Sequence, residues 1–143
     1  MASTLDANGS SATVVVQADT VLYVTGDVNL SKIVFQNGAK LQLYLAAPSI
    51  TFSPTLVGAT APEFTIFGLP SCTSMVLTGG TAFTGVIYAP ECNLKATGSA
   101  GLAGAIIANS FTCTGTFDFH YDLSVGRNAF ITPVSILSWN ELY

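Results

Sequence analysis

Charge is what this sequence has least of. Asp, Glu, Lys and Arg together make up 8% of its 143 residues, against about 25% in an average globular protein. The four cations, Lys32, Lys40, Lys95 and Arg127, stand far apart in a chain of net charge −4. Phosphate binding needs clustered Lys and Arg, so nucleic acid is set aside as a partner. There is a single His, and the three cysteines form no CxxC pair, which argues against a zinc site. The longest apolar runs, such as "GLAGAIIA", stop well short of the roughly 20 residues of a membrane-spanning helix, so no membrane span is expected in this chain. The opening "MASTLDANGSSA" has neither a basic n-region nor an apolar h-region, and no secretory signal is read there.

What remains is apolar and small. Half of the residues are hydrophobic, and much of the rest is Gly, Ser, Thr and Asn. With so few charges to keep unpaired strand edges apart, solubility requires regular backbone pairing, and an all-β fold follows. The chain also repeats itself. Thr25-Gly26-Asp27-Val28, Ala47-Pro48-Ser49-Ile50, Leu69-Pro70-Ser71-Cys72, Ala89-Pro90-Glu91-Cys92 and Ala108-Asn109-Ser110-Phe111 recur every 19 to 22 residues, each behind a short apolar run. A second set of corners, Asn37-Gly38, Thr78-Gly79, Thr97-Gly98 and Thr114-Gly115, falls out of phase with the first. Short strands between regular corners predict a single-stranded parallel β-helix, a β-solenoid of about five coils, each stacked about 4.8 Å from the next. Residues 1–12 are assigned to a flexible lead, 13–130 to the β-helix and 131–143 to a C-terminal cap carried by Trp139 and Leu142. No stretch reads as a long amphipathic helix.

Stacking turns the repeat into a set of columns. Aligned on their corners, Ile50, Cys72, Cys92 and Phe111 are expected to form one inward ladder. Cys72 and Cys92 then lie in adjacent coils, a candidate disulfide whose alternative is a pair of buried thiols. Gly85 and Gly104 fall at equivalent positions, where the backbone is expected to bend or to approach the next coil closely. Tyr23, Tyr44, Phe67 and Tyr88 also align, and their Val, Leu and Ile neighbours favour the core, the alternative being an exposed stack that offers a platform to sugar rings.

The segments "LYVTGDVNL", "LPSCTSMVLTGG", "FTGVIYAPECNL", "GAIIANSFTCTGT", "FHYD" and "LSWNEL" resemble an uncharacterised bacterial β-helical domain. That domain commonly follows a prepilin-like, PilX-type N-terminal segment in proteins of the type IV pilus and related secretion machinery. The resemblance covers about residues 20–142 and implies a surface-associated or envelope-associated structural module with no catalytic site to carry over. In coil style the chain is also similar to bactofilins, cytoskeletal β-helices that polymerise end to end.

One polar cluster stands out. In "FDFHYD", strand alternation would put Asp118, His120 and Asp122 on one face, where a His between two carboxylates suits acid–base work or a cation. The bland reading, a polar rim on the last coil, is preferred. The acids are otherwise too scattered for the paired carboxylates of a glycosidase, and no enzyme activity and no cofactor are expected. The leading expectation is a noncatalytic rigid rod in a cell-surface or pilus-like assembly, with the protein partners of that assembly. Self-association into a bactofilin-type filament is one alternative, and an adhesin or carbohydrate-binding module another. An extracellular or cell-envelope location is expected, with the cytoplasm as the alternative.

Overall fold

A computed structural model describes residues 12–28, 30–78, 82–99 and 101–128. The strands run in chain order as β1 (Thr13–Val16), β2 (Thr20–Val24), β3 (Lys32–Phe35), β4 (Leu41–Leu45), β5 (Ser49–Phe52) and β6 (Thr55–Val57). After a 3-10 turn at Ala61–Glu63 come β7 (Phe64–Gly68), β8 (Ser74–Thr78), β9 (Phe83–Thr97), β10 (Gly101–Thr114) and β11 (Asp118–Tyr121), and then a short helix α1 (Leu123–Asn128). Every pairing between them is parallel. The expected β-solenoid is therefore what forms, because a parallel partner one coil away satisfies each strand's backbone groups without hairpins.

Three faces wrap the lumen. β1, β3 and β6 make the first face, and β2, β4, β7, β9, β10 and β11 stack in that order along the second. The third contains β5, β8 and the later halves of β9 and β10. Six layers on the second face give an axial length of about 24 Å at about 4.8 Å per layer. Among the described residues the first face ends with β6. Only four residues separate β8 from β9 and only three separate β9 from β10, too few for another strand between corners. The rod thus narrows toward its C-terminal end.

Period-2 alternation decides what fills the lumen. On the second face Leu22, Leu43, Ile66, Ile87 and Ile106 stand in one column, and Leu43, Ile66 and Ile87 are buried to within 1%. In the wide early coils Phe35, Phe52, Phe64 and Phe83 meet in an aromatic cluster, with ring centroids 5.6 to 5.9 Å apart. Above Phe64 the column continues as Gly85 and Gly104. A Cβ on Gly85 would lie 2.8 Å from the Phe64 carbonyl oxygen, and one on Gly104, at φ +145°, would overlap the Gly85 carbonyl. The close approach expected of these two glycines is present. Asn37 and Gly38, both at positive φ, form the corner between β3 and β4, as a two-residue turn of this hand requires.

Two expectations about the columns need correction. Ile50 pairs with Met75, Met75 with Leu94, and Leu94 with Phe111. Ile50 and Phe111 do share a column, but Met75 and Leu94 occupy the places expected for Cys72 and Cys92. Unequal corners are the reason. From Leu45 to Ser49 the chain advances four residues, but six from Gly68 to Ser74, four from Ala89 to Asn93 and two from Ala108 to Ser110. Both cysteines sit in these corners, fully buried.

The second correction concerns Tyr23, Tyr44, Phe67 and Tyr88, which form a column on the outside of the second face instead of in the core. Their neighbours Val24, Leu43, Leu45 and Ile87 claim the lumen, so alternation turns the rings outward. Among the described residues no helix is long and apolar enough to cross a membrane.

Candidate functional site

The second face carries the most distinctive outward surface. Tyr23, Tyr44, Phe67, Tyr88 and Ile107 follow one another coil by coil, and Tyr88 and Ile107 are about half exposed, at 46% and 54%. Tyr44 and Phe67 stack face to face, with centroids 4.7 Å apart and an interplanar angle of 15°. Phe67 meets Tyr88 edge on, at 6.3 Å and 60°. The strand spacing of a parallel sheet matches the thickness of stacked rings, so the register itself builds this column. A consequence for ligand chemistry follows. The facing sides of Tyr44 and Phe67 are spent on each other and are closed to a ligand.

The sequence clue to this surface was available in "LQLYL". Leu41, Leu43 and Leu45 alternate with Gln42 and Tyr44, and the leucines are buried. Similarity of neighbours suggested a core position, while periodicity pointed outward.

The polar cluster of the last coil divides. Asp118 and His120 lie in register with Gly101 and Ala103 on β10, and both are exposed. Asp122 falls after the strand and caps α1. Its Oδ1 accepts hydrogen bonds from the Ser124 backbone amide at 2.8 Å and the Ser124 hydroxyl at 2.6 Å. Those bonds, the hydroxyl's first, hold its carboxyl below the usual carboxylate range. Asp122 is thus committed to a helix N-terminus, where an acceptor satisfies an otherwise free amide. Among the described residues no three His, Cys, Asp or Glu side chains are grouped to hold a metal ion.

Cys72 and Cys92 are free and buried, and their thiols donate to the backbone carbonyls of Ser74 at 4.0 Å and Asn93 at 3.7 Å. Their placement in adjacent coils agrees with the sequence, and they are thiols here instead of the candidate disulfide. Burial raises Cys72, and burial together with the neighbouring thiol pushes Cys92 up to about 12. Cys113, on β10, is free and exposed.

Beside them the corner between the second and third faces is tied by polar side chains. The Asn93 Oδ1 accepts bonds from the Asn109 side-chain amide at 2.9 Å and the Ser110 hydroxyl at 2.7 Å, and the Ser71 hydroxyl donates to the Ala46 carbonyl at 2.6 Å. These bonds serve the shortened and lengthened corners. At the C-terminal end Ile106, Ala108, Phe111 and Phe119 line a cavity of ≈ 270 Å³, which composition alone did not announce. Trp139 and Leu142, the expected cap, lie outside the described residues.

Parallel register, an apolar lumen and corner-borne polar ties define a β-solenoid domain whose outer surfaces carry whatever contacts it makes. The chain matches the family described as a domain of unknown function, DUF7305, over residues 3–128, and it belongs to that family. This agrees with the uncharacterised domain expected from the sequence, and the match names neither a prepilin-like nor a bactofilin family. No curated protein and no solved structure matches the chain.

Proposed function

We propose that this domain is a noncatalytic structural module, a rigid β-helical rod belonging to a cell-surface or pilus-like assembly. The observation that carries this reading is the continuous parallel register of the second face from β2 to β11 over an apolar lumen. Such a rod resists bending because every strand is bonded to the next along the axis, and it needs no cofactor to hold its shape. Its low charge leaves backbone, hydroxyl and apolar groups as the means of contact, which suits protein partners packed in an assembly.

The outward column of Tyr23, Tyr44, Phe67 and Tyr88 supports a second reading, in which the same rod binds a partner or a glycan along that face. Stacking on sugar rings needs free ring faces, and Tyr88 is better placed for it than the mutually stacked Tyr44 and Phe67. The filament alternative asks for two matching ends. Here the first coil's Val16, Val24, Val28 and Leu30 are buried while the last coil's Phe111 and Phe119 are not, which weighs against simple end-to-end growth.

Fractionation of the cells that make this protein tests the main reading, combined with crosslinking from a photoreactive residue at position 107. Recovery in envelope or extracellular fractions, crosslinked to defined protein partners, is the expected result. A cytosolic monomer without crosslinked partners overturns it. Binding on a glycan array that disappears in Tyr88→Ala would move the assignment to the carbohydrate-binding reading.

A further inference from the structure

Cys72 and Cys92 occupy neighbouring coils at the corner between the second and third faces. Ser74 and Asn93 are register partners on β8 and β9, and the Asn93 amide donates to the Thr73 carbonyl at 2.8 Å. The Cys72 thiol reaches the Ser74 carbonyl and the Cys92 thiol reaches the Asn93 carbonyl, so the two sulfurs are held on adjacent rungs of one ladder. Both residues are fully buried. One layer of about 4.8 Å and an offset of one residue place their Cα atoms about 6 Å apart, inside the range of about 4.4–6.8 Å found in disulfides. Side chains in strict register on a parallel ladder point the same way, which suits the disulfide torsion poorly. These two escape that limit. The Cys72 amide closes a turn onto the Leu69 carbonyl at 2.8 Å, so its side chain enters the lumen from a tight corner, whereas Cys92 lies within β9. Cys113 is placed otherwise. It is exposed, and its register partner on β9 is Ala96. About 13 Å of strand and one further layer therefore separate Cys113 from Cys92, far beyond bridging distance.

We propose that Cys72 and Cys92 are an oxidative modification site, closing into a disulfide that joins adjacent coils when the chain folds in the presence of a low-molecular-weight disulfide. The two free thiols are its reduced state. One thiolate attacks a sulfur of the oxidant and forms a mixed disulfide, releasing one small thiol, and the second thiolate then displaces the other. Two protein S–H bonds become one S–S bond, and the oxidant's S–S bond becomes two S–H bonds, so protons and electrons balance. Thiolate is the attacking form, and in the closed fold burial keeps both sulfurs protonated. The bond is therefore made while the coils close, and it is kept afterwards because burial also excludes a reducing thiol. Such a link fastens one layer of the solenoid to the next, whichever outer face makes the domain's contacts.

Chain statistics supply the control. Cys72 and Cys92 are 20 residues apart and Cys92 and Cys113 are 21 apart, so an unfolded chain closes the two loops almost equally. Only the fold distinguishes them. The full-length chain, unfolded and reduced, is refolded at micromolar concentration in glutathione buffers that run from reducing to oxidising. N-ethylmaleimide blocks the remaining thiols, and peptide mapping by mass spectrometry reads the pairs. After oxidative refolding the Cys72 to Cys92 bond should exceed the Cys92 to Cys113 bond by at least about tenfold, against near equality in a sample oxidised in denaturant. The monomer carrying it should keep the β-sheet circular dichroism of the reduced chain and unfold at higher denaturant concentration. Near-equal pairing after refolding overturns the proposal, as do free Cys72 and Cys92 at the most oxidising poise. A bonded product that loses the β-sheet signal, or unfolds at no higher denaturant concentration than the reduced chain, also overturns it, since the bond would then not fit the corner.

Discussion

The rings of Tyr44 and Phe67 lie parallel on the outside of the rod, 4.7 Å apart, in consecutive coils of the second face. Outward-facing residues usually add little to stability, but this half-buried pair is held in contact by the sheet's own spacing. A double-mutant cycle with Tyr44→Ala and Phe67→Ala, read by chemical denaturation, should show a coupling of about 0.5–1.5 kcal/mol. Strict additivity would mean that the stacking contributes nothing beyond area.

Ile87 is fully buried at the centre of the lumen column between Ile66 and Ile106. Ile87→Ala should cost about 2–5 kcal/mol. Ile87→Asp should prevent folding at neutral pH, because a carboxylate in a dry lumen has no partner. Soluble, cooperatively melting Ile87→Asp protein would contradict the column.

Gly104 has no room for a side chain. Gly104→Ala should destabilise by more than about 1 kcal/mol, since it combines a forbidden φ with overlap on the Gly85 carbonyl. Gly101→Ala, where the nearest atom to a new Cβ is 3.3 Å away, should be milder. The ratio of the two denaturation midpoints checks the difference.

The thiols predict an alkaline limit. Cys72 and Cys92 are favoured as neutral thiols in the fold, with Cys92 raised from 9.0 to about 12. Their stabilising contribution is therefore complete below pH 9.0 and lost as pH rises toward 12. Denaturation midpoints measured across that window should fall, and fall less in Cys92→Ala. At pH 8 native protein should take no more than one maleimide, on Cys113, whereas unfolded protein takes three.

Asp122 sets an acid limit for α1. Because its folded value is depressed below 3.8, the capping contribution is present above that pH and disappears as pH falls through the folded value. Amide exchange at Ser124 and Val125 should quicken in that acid range, and should already be fast at neutral pH in Asp122→Ala. Unchanged exchange in the variant would show that packing on β10 holds the helix by itself.

Much of this architecture is written locally. Short apolar runs between Gly, Pro and Asn corners, repeated at nearly constant spacing, leave parallel stacking as the arrangement that pairs the backbone of so weakly charged a chain. The close approach at Gly85 and Gly104 was legible for the same reason, since equal strand positions recur one coil later. Alternation in "LQLYL" also carried the outward place of Tyr44, although the apolar company of that ring suggested burial.

Other features belong to the tertiary structure alone. Which residues share the third-face column depends on how many residues each coil and corner consumes, and the lengthened corner before β8 together with the β4-to-β7 offset brings Met75, three residues on, where Cys72 was expected. The narrowing of the rod, the different finish of its two ends and the division of Asp122 from His120 likewise arise from the sum of coil lengths along the stack. Composition and period determine that this chain forms a solenoid; the register accumulated through unequal corners decides which side chains meet. Backbone pairing is a local, periodic demand, while side-chain neighbourhood is set only when every coil has been laid on the one before it.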